Sequence, residues 1–350
     1  MKKSDQKAKN ADDAEEREAK DEGENEREKV EKEVDLVTGA NGKLGKELVK
    51  SLLKKGDVVR ALVKSKESIV ELPPGVVPYI GDITHQRVLD DACNGVDNVY
   101  HLAAAVSEYR YTTEELIHIN VEGTRNVLDA AEKGGAKHLI FTSTIDVYGR
   151  KRRDVLTEES PLKPSDKYGY SKMLAENIVK EYASTLPYTI LRLATIYGPS
   201  FEAPYFKVLK ALQEGKIYLI GNGQNHLALL HVYDALQSLI LPRVYAGISK
   251  NKVYNVTDGN NYTQELLFNM AADMLKVPRP KRHLSEFIVR LVAKSRGLDS
   301  DELRFLTSNR VIDITKIKSE LGFKPVVEMR VGMGELVTAY LKRSHKSVIS

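Results

Sequence analysis

The chain has a single cysteine, Cys93, and no tryptophan. One thiol excludes an intramolecular disulfide framework and any metal site built on clustered cysteines. None of the eight histidines stands in a spacing such as H-E-x-x-H, so no metal site is expected. No apolar run reaches the ~18 residues that span a bilayer. The opening Met1-Lys2-Lys3-Ser4-Asp5 lacks the hydrophobic stretch of a signal peptide. These absences make a soluble cytoplasmic protein the default expectation.

What is present is 350 residues, 42% of them apolar and 29% charged. Domains usually run to about 100–200 residues, so a sizeable core in two lobes is expected. The net charge of +4 conceals an asymmetry: residues 1–32 hold 9 Lys/Arg and 12 Asp/Glu, and the remainder holds 44 and 37. The first 32 residues have almost no large apolar side chain and read as a disordered tail or a single solvated helix. The basic excess of the rest is mild and scattered. It suits an anionic cofactor or substrate, and no nucleic-acid partner is expected.

Strand and helix patterns alternate from residue 33. Strands are predicted at Val34–Thr38, Val58–Val63, Val76–Ile80, Val96–Leu102, His138–Thr142, Thr189–Leu193 and Lys252–Val256. Helices are predicted at Lys43–Lys54, Val121–Lys133, Tyr168–Tyr182, His231–Val244 and, capped by Thr263, Gln264–Leu275. Such alternation argues for an α/β fold with a parallel sheet covered on both faces. Residues 33–196 with about 231–258 are assigned to the sheet domain. Residues 197–230 with 259–340 are assigned to a smaller, mostly helical lobe closing over the carboxyl ends of the strands.

Thr38-Gly39-Ala40-Asn41-Gly42-Lys43-Leu44-Gly45 lies between the first strand and the first helix. Gly39 permits a sharp turn, Gly42 lets backbone approach a pyrophosphate, and Gly45 allows close packing. The helix N-terminus offers N–H groups and a positive dipole end to phosphates. An ordinary Gly-rich turn is the bland alternative, but the strand before and helix after are what dinucleotide binding requires. About 20 residues on, a carboxylate commonly holds the ribose 2′-hydroxyl. Here that position is Lys64, preceded by Arg60. Cations there favour a 2′-phosphate, so NADP(H) is expected over NAD(H). Asp82 could bond an adenine amino group with Ile83 packing on the ring, or could cap a turn. Leu102, Ala103 and Ala104 end the fourth strand with small side chains that let backbone lie near a cofactor.

Tyr168 is the tyrosine with a lysine, Lys172, four residues later. That spacing puts both on one helical face. An ammonium beside a phenol lowers its pKa from about 10 and makes it a general acid/base. A chance surface pair is the alternative for the motif alone. Thr142, Ser143 and Thr144, just beyond the fifth strand, each could polarise a substrate oxygen.

The segments TGANGKLG at 38–45, GDI at 81–83, HLAAA at 101–105, NVEGTRNVLDAA at 120–131, FTSTIDVYG at 141–149, YGYSK at 168–172 and LRLATIYGP at 191–199 occur in order. Together they resemble the extended short-chain dehydrogenase/reductase superfamily, which contains the epimerase/dehydratase enzymes. The resemblance implies a Rossmann-type doubly wound parallel sheet, a substrate lobe, nicotinamide hydride chemistry and a homodimer. It assigns the active Ser/Thr to Thr144 and the Tyr and Lys to Tyr168 and Lys172, with Thr142 at the cofactor side. It gives Asn120 a supporting role and places Ala194, Thr195 and Ile196 around the nicotinamide.

Nucleotide-sugar members commonly carry an Arg-Asp-Phe/Tyr stretch before the Val-Asp-Asp turn. Here the corresponding segment runs through Leu227-Ala228-Leu229 and has no arginine. The chain is more similar to the 3β-hydroxysteroid dehydrogenase and dihydroflavonol reductase branch. An alcohol/carbonyl oxidoreductase acting on a small molecule is therefore expected. A nucleotide-sugar epimerase or dehydratase with recycled cofactor is the alternative, and a non-catalytic cofactor-binding regulator the third. Arg279, Lys281, Arg282 and Arg310 could supply an anion clamp from another direction. His226 and His231 read as core or turn histidines. His283–Leu298 is apolar on one face and basic on the other; it reads as a lid or substrate-lobe helix, with membrane-surface contact the lesser alternative.

Overall fold

The computed structural model describes residues 32–106, 110–202, 204–289, 291 and 305–349. The charged tail, apart from Lys32, lies outside the described residues.

Seven strands form a fully parallel sheet: β1 (Val34–Thr38), β2 (Val58–Val63), β3 (Val77–Ile80), β4 (Asn98–His101), β5 (His138–Thr144), β6 (Tyr188–Leu193) and β7 (Lys252–Val256). Their order is β7-β6-β5-β4-β1-β2-β3. The chain first moves outward from β1 to β3, then returns to β4 on the other side. That reversal between β1 and β4 opens a crevice at the carboxyl ends, where open α/β sheets bind ligands. The doubly wound Rossmann-type α/β architecture is what the alternating pattern predicts.

The strands are apolar almost throughout because helices cover both faces. The pleat sends successive residues to opposite sides. Val37, Ile140 and Leu191 enter one core with Leu48 and Leu52 of α1 (Lys43–Lys55). Leu36, Phe141 and Ile190 enter the other with Leu89 of α2 (Gln86–Cys93). Helix α3 (Thr113–Ile117) continues through a π turn (His118–Glu122) into α4 (Gly123–Lys133). Its start is eight residues earlier than the pattern at Val121 predicts. Thr112 and Glu115 form a reciprocal capping box there, which satisfies two of the free donors at the helix start. Helix α5 (Lys167–Glu181) carries Val179 and Ala175 into the second core.

A third core joins Tyr197, Tyr205, Leu209, Leu227, Phe268, Met333 and Tyr340. It draws on α6 (Tyr205–Gln213), α8 (Gln264–Leu275) and α10 (Met329–Ile349), while α7 (Val232–Val244) and α9 (Thr315–Leu321) pack on the first core. Short parallel pairs tie these parts together. Lys151–Leu156 runs beside Asn309–Ile312, Thr195–Tyr197 beside Leu229–His231, and Leu219–Ile220 beside His283–Leu284. The last pair trims the expected helix over His283–Leu298: its first two residues are strand, residues 286–289 and 291 are helical, and residues 290 and 292–298 lie outside those described.

The amino edge of the sheet is fastened by charge. Arg243 donates to Asp35 at 2.9 Å and to both oxygens of Asp57 at 2.7 and 2.9 Å. Asn98 donates to the other Asp35 oxygen at 2.8 Å. Both carboxylates are buried, so their pairing offsets a desolvation cost that would otherwise be large. Among the described residues no helix is long and apolar enough to cross a membrane.

Candidate active site

A cavity of about 710 Å³ lies at the carboxyl ends of β1, β4 and β5. Gly39, Asn41, Gly42, Lys43, Leu44 and Gly45 line it from the first loop, and Leu102, Ala103 and Ala104 from the end of β4. Gly39 has φ +68°, and a Cβ there would stand 2.8 Å from the Ala103 nitrogen. Only glycine reaches that conformation and that closeness together. A Cβ on Gly45 would meet the Gly39 carbonyl oxygen at 2.2 Å, so the first helix turn closes directly over the loop. No side chain caps α1 at Gly42. Its first-turn N–H groups are therefore left without a side-chain acceptor.

On the other side of the cavity stand Thr142, Ser143, Thr144, Tyr168 and Lys172. Thr144 ends β5, and its Oγ1 accepts from the Asp146 N–H at 3.2 Å, holding the turn that follows. Asp166 caps α5 by accepting from the Gly169 N–H at 2.7 Å. A Cβ on Gly169 would lie 2.6 Å from the Asp146 carbonyl oxygen. Glycine there seats the helix start flush on the turn after β5, which brings Tyr168 to the same cavity as Thr144. Arg310 fixes that turn from outside through the carbonyls of Ile145 and Gly149 and the Asp146 carboxylate at 2.7 Å. It is thus not available to the anion clamp considered above, and Arg279 is likewise held by Asp273.

Lys172 is buried at 2% exposure, with its ammonium 4.0 Å from the centroid of the Phe141 ring. Burial pulls its pKa down to about 7, against the opposing field of the Glu176 carboxylate. Glu176 is fully buried and is held by Arg192 through Nε at 3.0 Å and Nη2 at 2.7 Å and by the Ser143 hydroxyl at 2.6 Å. Both oxygens of the buried acid are thus hydrogen-bonded. A second buried chain starts at the glycine loop. The Ala103 N–H donates to Thr38 Oγ1 at 3.2 Å, and Thr38 reaches His101 Nδ1 at 2.7 Å. His101 Nε2 lies 3.0 Å from Thr124 Oγ1, whose proton goes to the Asn120 carbonyl at 2.6 Å. With Thr124 committed as donor, the imidazole proton sits on Nε2. Burial first, and the Lys172 charge second, push the His101 pKa down to about 3.

Five expected cofactor residues do not line the cavity. Arg60 turns its guanidinium onto the Ala92 and Asn94 carbonyls at 2.9 and 2.7 Å. It sits four residues before the rim, about 13 Å at strand rise, so it is no candidate for a 2′-phosphate. Asp82 accepts from the Thr84 N–H and hydroxyl, both at 3.0 Å, and pairs with the Lys64 ammonium at 2.7 Å. Burial raises its pKa, but those partners outweigh burial and hold it low. It is the turn cap of the bland reading. Asn120 is buried in support: it exchanges bonds with the Ala105 backbone at 2.7 and 2.9 Å. Ala194 gives its N–H to the Val256 carbonyl at 2.9 Å, and Thr195 pairs with Leu229; of that trio Ile196 alone lines the cavity. Lys64 and Ile83 line it as expected.

Leu193, in the LRLATIYGP segment, lines it too, and Leu62, Ser68, Val106, Tyr111, Ile119 and Phe201 line it without having been singled out. Most are ordinary apolar residues whose role depends on where distant loops return, and no sequence motif marks that. Among the described lining residues are the lysines 43, 64 and 172 and no carboxylate. His231 is a turn histidine, as expected: it caps α7 and lies buried against Tyr197, ring centroids 5.1 Å apart.

A parallel sheet with its crevice built from a glycine turn, and a buried Lys beside a Tyr at the crevice wall, define a dinucleotide-dependent enzyme of the extended short-chain dehydrogenase/reductase type. Residues 36–257 match the model of the NAD dependent epimerase/dehydratase family, and the chain belongs to that family. It is 28% identical over 301 residues to the N-acetyl-alpha-D-glucosaminyl-diphospho-ditrans,octacis-undecaprenol 4-epimerase of Escherichia coli O157:H7, covering 81% of this chain and 88% of the relative. It is 30% identical over 322 residues to the UDP-N-acetyl-alpha-D-glucosaminuronate decarboxylase of Bacillus cytotoxicus, covering 86% and 96%. Among solved structures, the dTDP-glucose 4,6-dehydratase of Streptomyces venezuelae with NAD bound superposes with TM-score 0.73 at 26% identity, over 89% of this chain and 98% of that one.

Proposed function

We propose that the enzyme interconverts an alcohol and a carbonyl on a small molecule, with Thr144, Tyr168 and Lys172 as its proton-transfer set. The observation that carries this is their convergence with the glycine turn on one cavity. A nicotinamide dinucleotide fits that cavity: the Gly39 cradle admits no Cβ, the α1 N-terminus has no side-chain cap, and the lining is cationic. When bound, the nicotinamide supplies the hydride donor or acceptor. Gly39, Gly42 and the first turn of α1 hold the pyrophosphate, and Lys43 adds positive charge. Lys172 holds the nicotinamide ribose and biases Tyr168 toward phenolate. Tyr168 gives or takes the proton at the substrate oxygen, and Thr144 orients that oxygen.

NADP(H) remains our proposal over NAD(H), now on Lys64 and the carboxylate-free lining of the adenosine end alone, since Arg60 is engaged elsewhere. Lys64 must exchange Asp82 for the 2′-phosphate, so the preference is modest. The third core, built on α6, α8 and α10, serves as substrate lobe. We favour an apolar alcohol or ketone as substrate. Leu227 and Leu229, where a diphosphate clamp would need cations, line instead a small wholly apolar cavity with Tyr205, Phe268 and Phe305.

The relatives favour a second reading. Their names speak of nucleotide sugars and of a sugar carried on a polyprenyl diphosphate, and such enzymes would recycle a retained cofactor. Purified protein decides between the two. Stoichiometric change in nicotinamide absorbance with an added apolar ketone supports the reductase. Turnover of a nucleotide sugar with no net absorbance change supports the epimerase. Cofactor binding with neither defeats both.

A further inference from the structure

We propose that the face formed by Lys151–Arg153, Lys281–Arg282 and the helical turn after Leu284 docks on an anionic phospholipid surface. The proposal is independent of which substrate the cavity takes.

Three large apolar side chains stand out on this face: Phe287 is 76% exposed, Leu291 58% and Ile288 43%. Single exposed apolar residues are ordinary, but three within five positions, at helical spacing, make a patch. The patch is anchored. Leu219 donates to the Arg282 carbonyl at 2.9 Å and Gly221 to the Leu284 carbonyl at 2.8 Å. Glu286 then pairs with Lys151, fastening the turn beside the strand that carries Arg152 and Arg153. Between them opens a cavity of about 390 Å³, lined by Lys151, Arg152, Arg153, Asn222 and Asn309 among others.

The charge on this face is net positive. Arg153, Lys281 and Arg282 are exposed. Glu286 is spent on Lys151, and Asp154 on Arg152 at 2.9 Å. Of the described residues between 281 and 291, Lys281 and Arg282 are cationic and Glu286 is the one acid. Apolar anchors flanked by cations match an anionic bilayer, which offers both a hydrocarbon boundary and phosphate acceptors. A nucleic acid would use the cations and leave the apolar side chains in water. A second copy of this chain would bring the same cations against themselves.

The test uses the full chain with sedimenting vesicles of phosphatidylcholine alone, or with about a third phosphatidylglycerol. The expected result is capture by the anionic vesicles only, weakened severalfold by raised salt. Arg153→Glu with Arg282→Glu should cut capture about tenfold. Phe287→Ser with Ile288→Ser should cut it comparably while turnover and the elution volume of the protein stay unchanged. Failure to bind anionic vesicles, equal capture by neutral ones, or indifference to either pair of substitutions overturns the proposal. So does a dimer that Phe287→Ser converts to monomer, because a second copy then covers the patch.

Discussion

Asn120 donates to the Ser171 hydroxyl at 2.9 Å, and Ser171 donates in turn to the Tyr168 carbonyl at 2.8 Å. Asn120 also bonds both backbone groups of Ala105, on the loop after β4. The π turn aims this side chain inward, buried at 1% exposure. One amide therefore sets the spacing between the loop flooring the cavity and the helix bearing Tyr168. It acts on geometry and leaves the proton to others.

Removing the phenolic oxygen tests the proton carrier. Tyr168→Phe is expected to lower turnover about 10²–10⁴-fold while dinucleotide affinity changes less than about threefold. Steady-state kinetics beside fluorescence titration of the cofactor measure both. Near wild-type turnover would remove Tyr168 from the chemistry.

Cofactor preference should follow one cation and ignore another. Lys64→Glu is expected to lower the NADPH-to-NADH ratio of kcat/KM about tenfold, by replacing attraction with repulsion at the 2′ position. Arg60→Ala should leave that ratio alone, because the guanidinium already serves the Ala92 and Asn94 carbonyls. The two ratios, measured side by side, would refute the assignment if they moved together.

A methyl group at the cradle should close it. Gly39→Ala adds a Cβ at φ +68°, 2.8 Å from the Ala103 nitrogen. Strained backbone of this kind costs about 1–3 kcal/mol. Dinucleotide affinity should fall more than about tenfold while the far-ultraviolet circular dichroism stays native. Undiminished affinity in the folded variant would show that this turn is not where the pyrophosphate sits.

Acid stability should depend on His101. Its pKa falls from the ordinary 6.5 to about 3 in the fold. Between those values the unfolded chain binds a proton that the native protein does not. Stability is therefore full above about 6.5 and is lost as pH falls toward 3. His138, lowered to about 4, adds to the slope with the same sign. In His101→Gln the fall of melting temperature across that window should be shallower; an unchanged slope would exclude His101 as its source.

The parts legible in sequence were those with a local signature. β1, β2 and β7 begin and end where the apolar runs do, and Thr263 caps α8 as its position suggests. The capping box at Thr112 and Glu115 was legible too, yet the apolar pattern at Val121 drew the helix start too late. Lys151–Leu156 was not legible. Its Lys-Arg-Arg-Asp opening has no buried alternation, and it is a strand because Asn309–Ile312 returns beside it. In the site, Thr144, Tyr168 and Lys172 were readable as a motif, while Val106, Tyr111 and Phe201 reach the cavity only through loop closure. The charge of Arg60 is legible in sequence, but its distance along the strand from the rim sends it to the Ala92 and Asn94 carbonyls instead.

The Arg243 clasp holds the rim opposite the crevice, joining Asp35 and Asp57 where β1 and β2 begin. Robustness and reactivity thus occupy separate ends of the same strands. Engineering for heat tolerance can be aimed at that remote end, and the loops at the crevice can be diversified for new substrates, with little interference between the two campaigns.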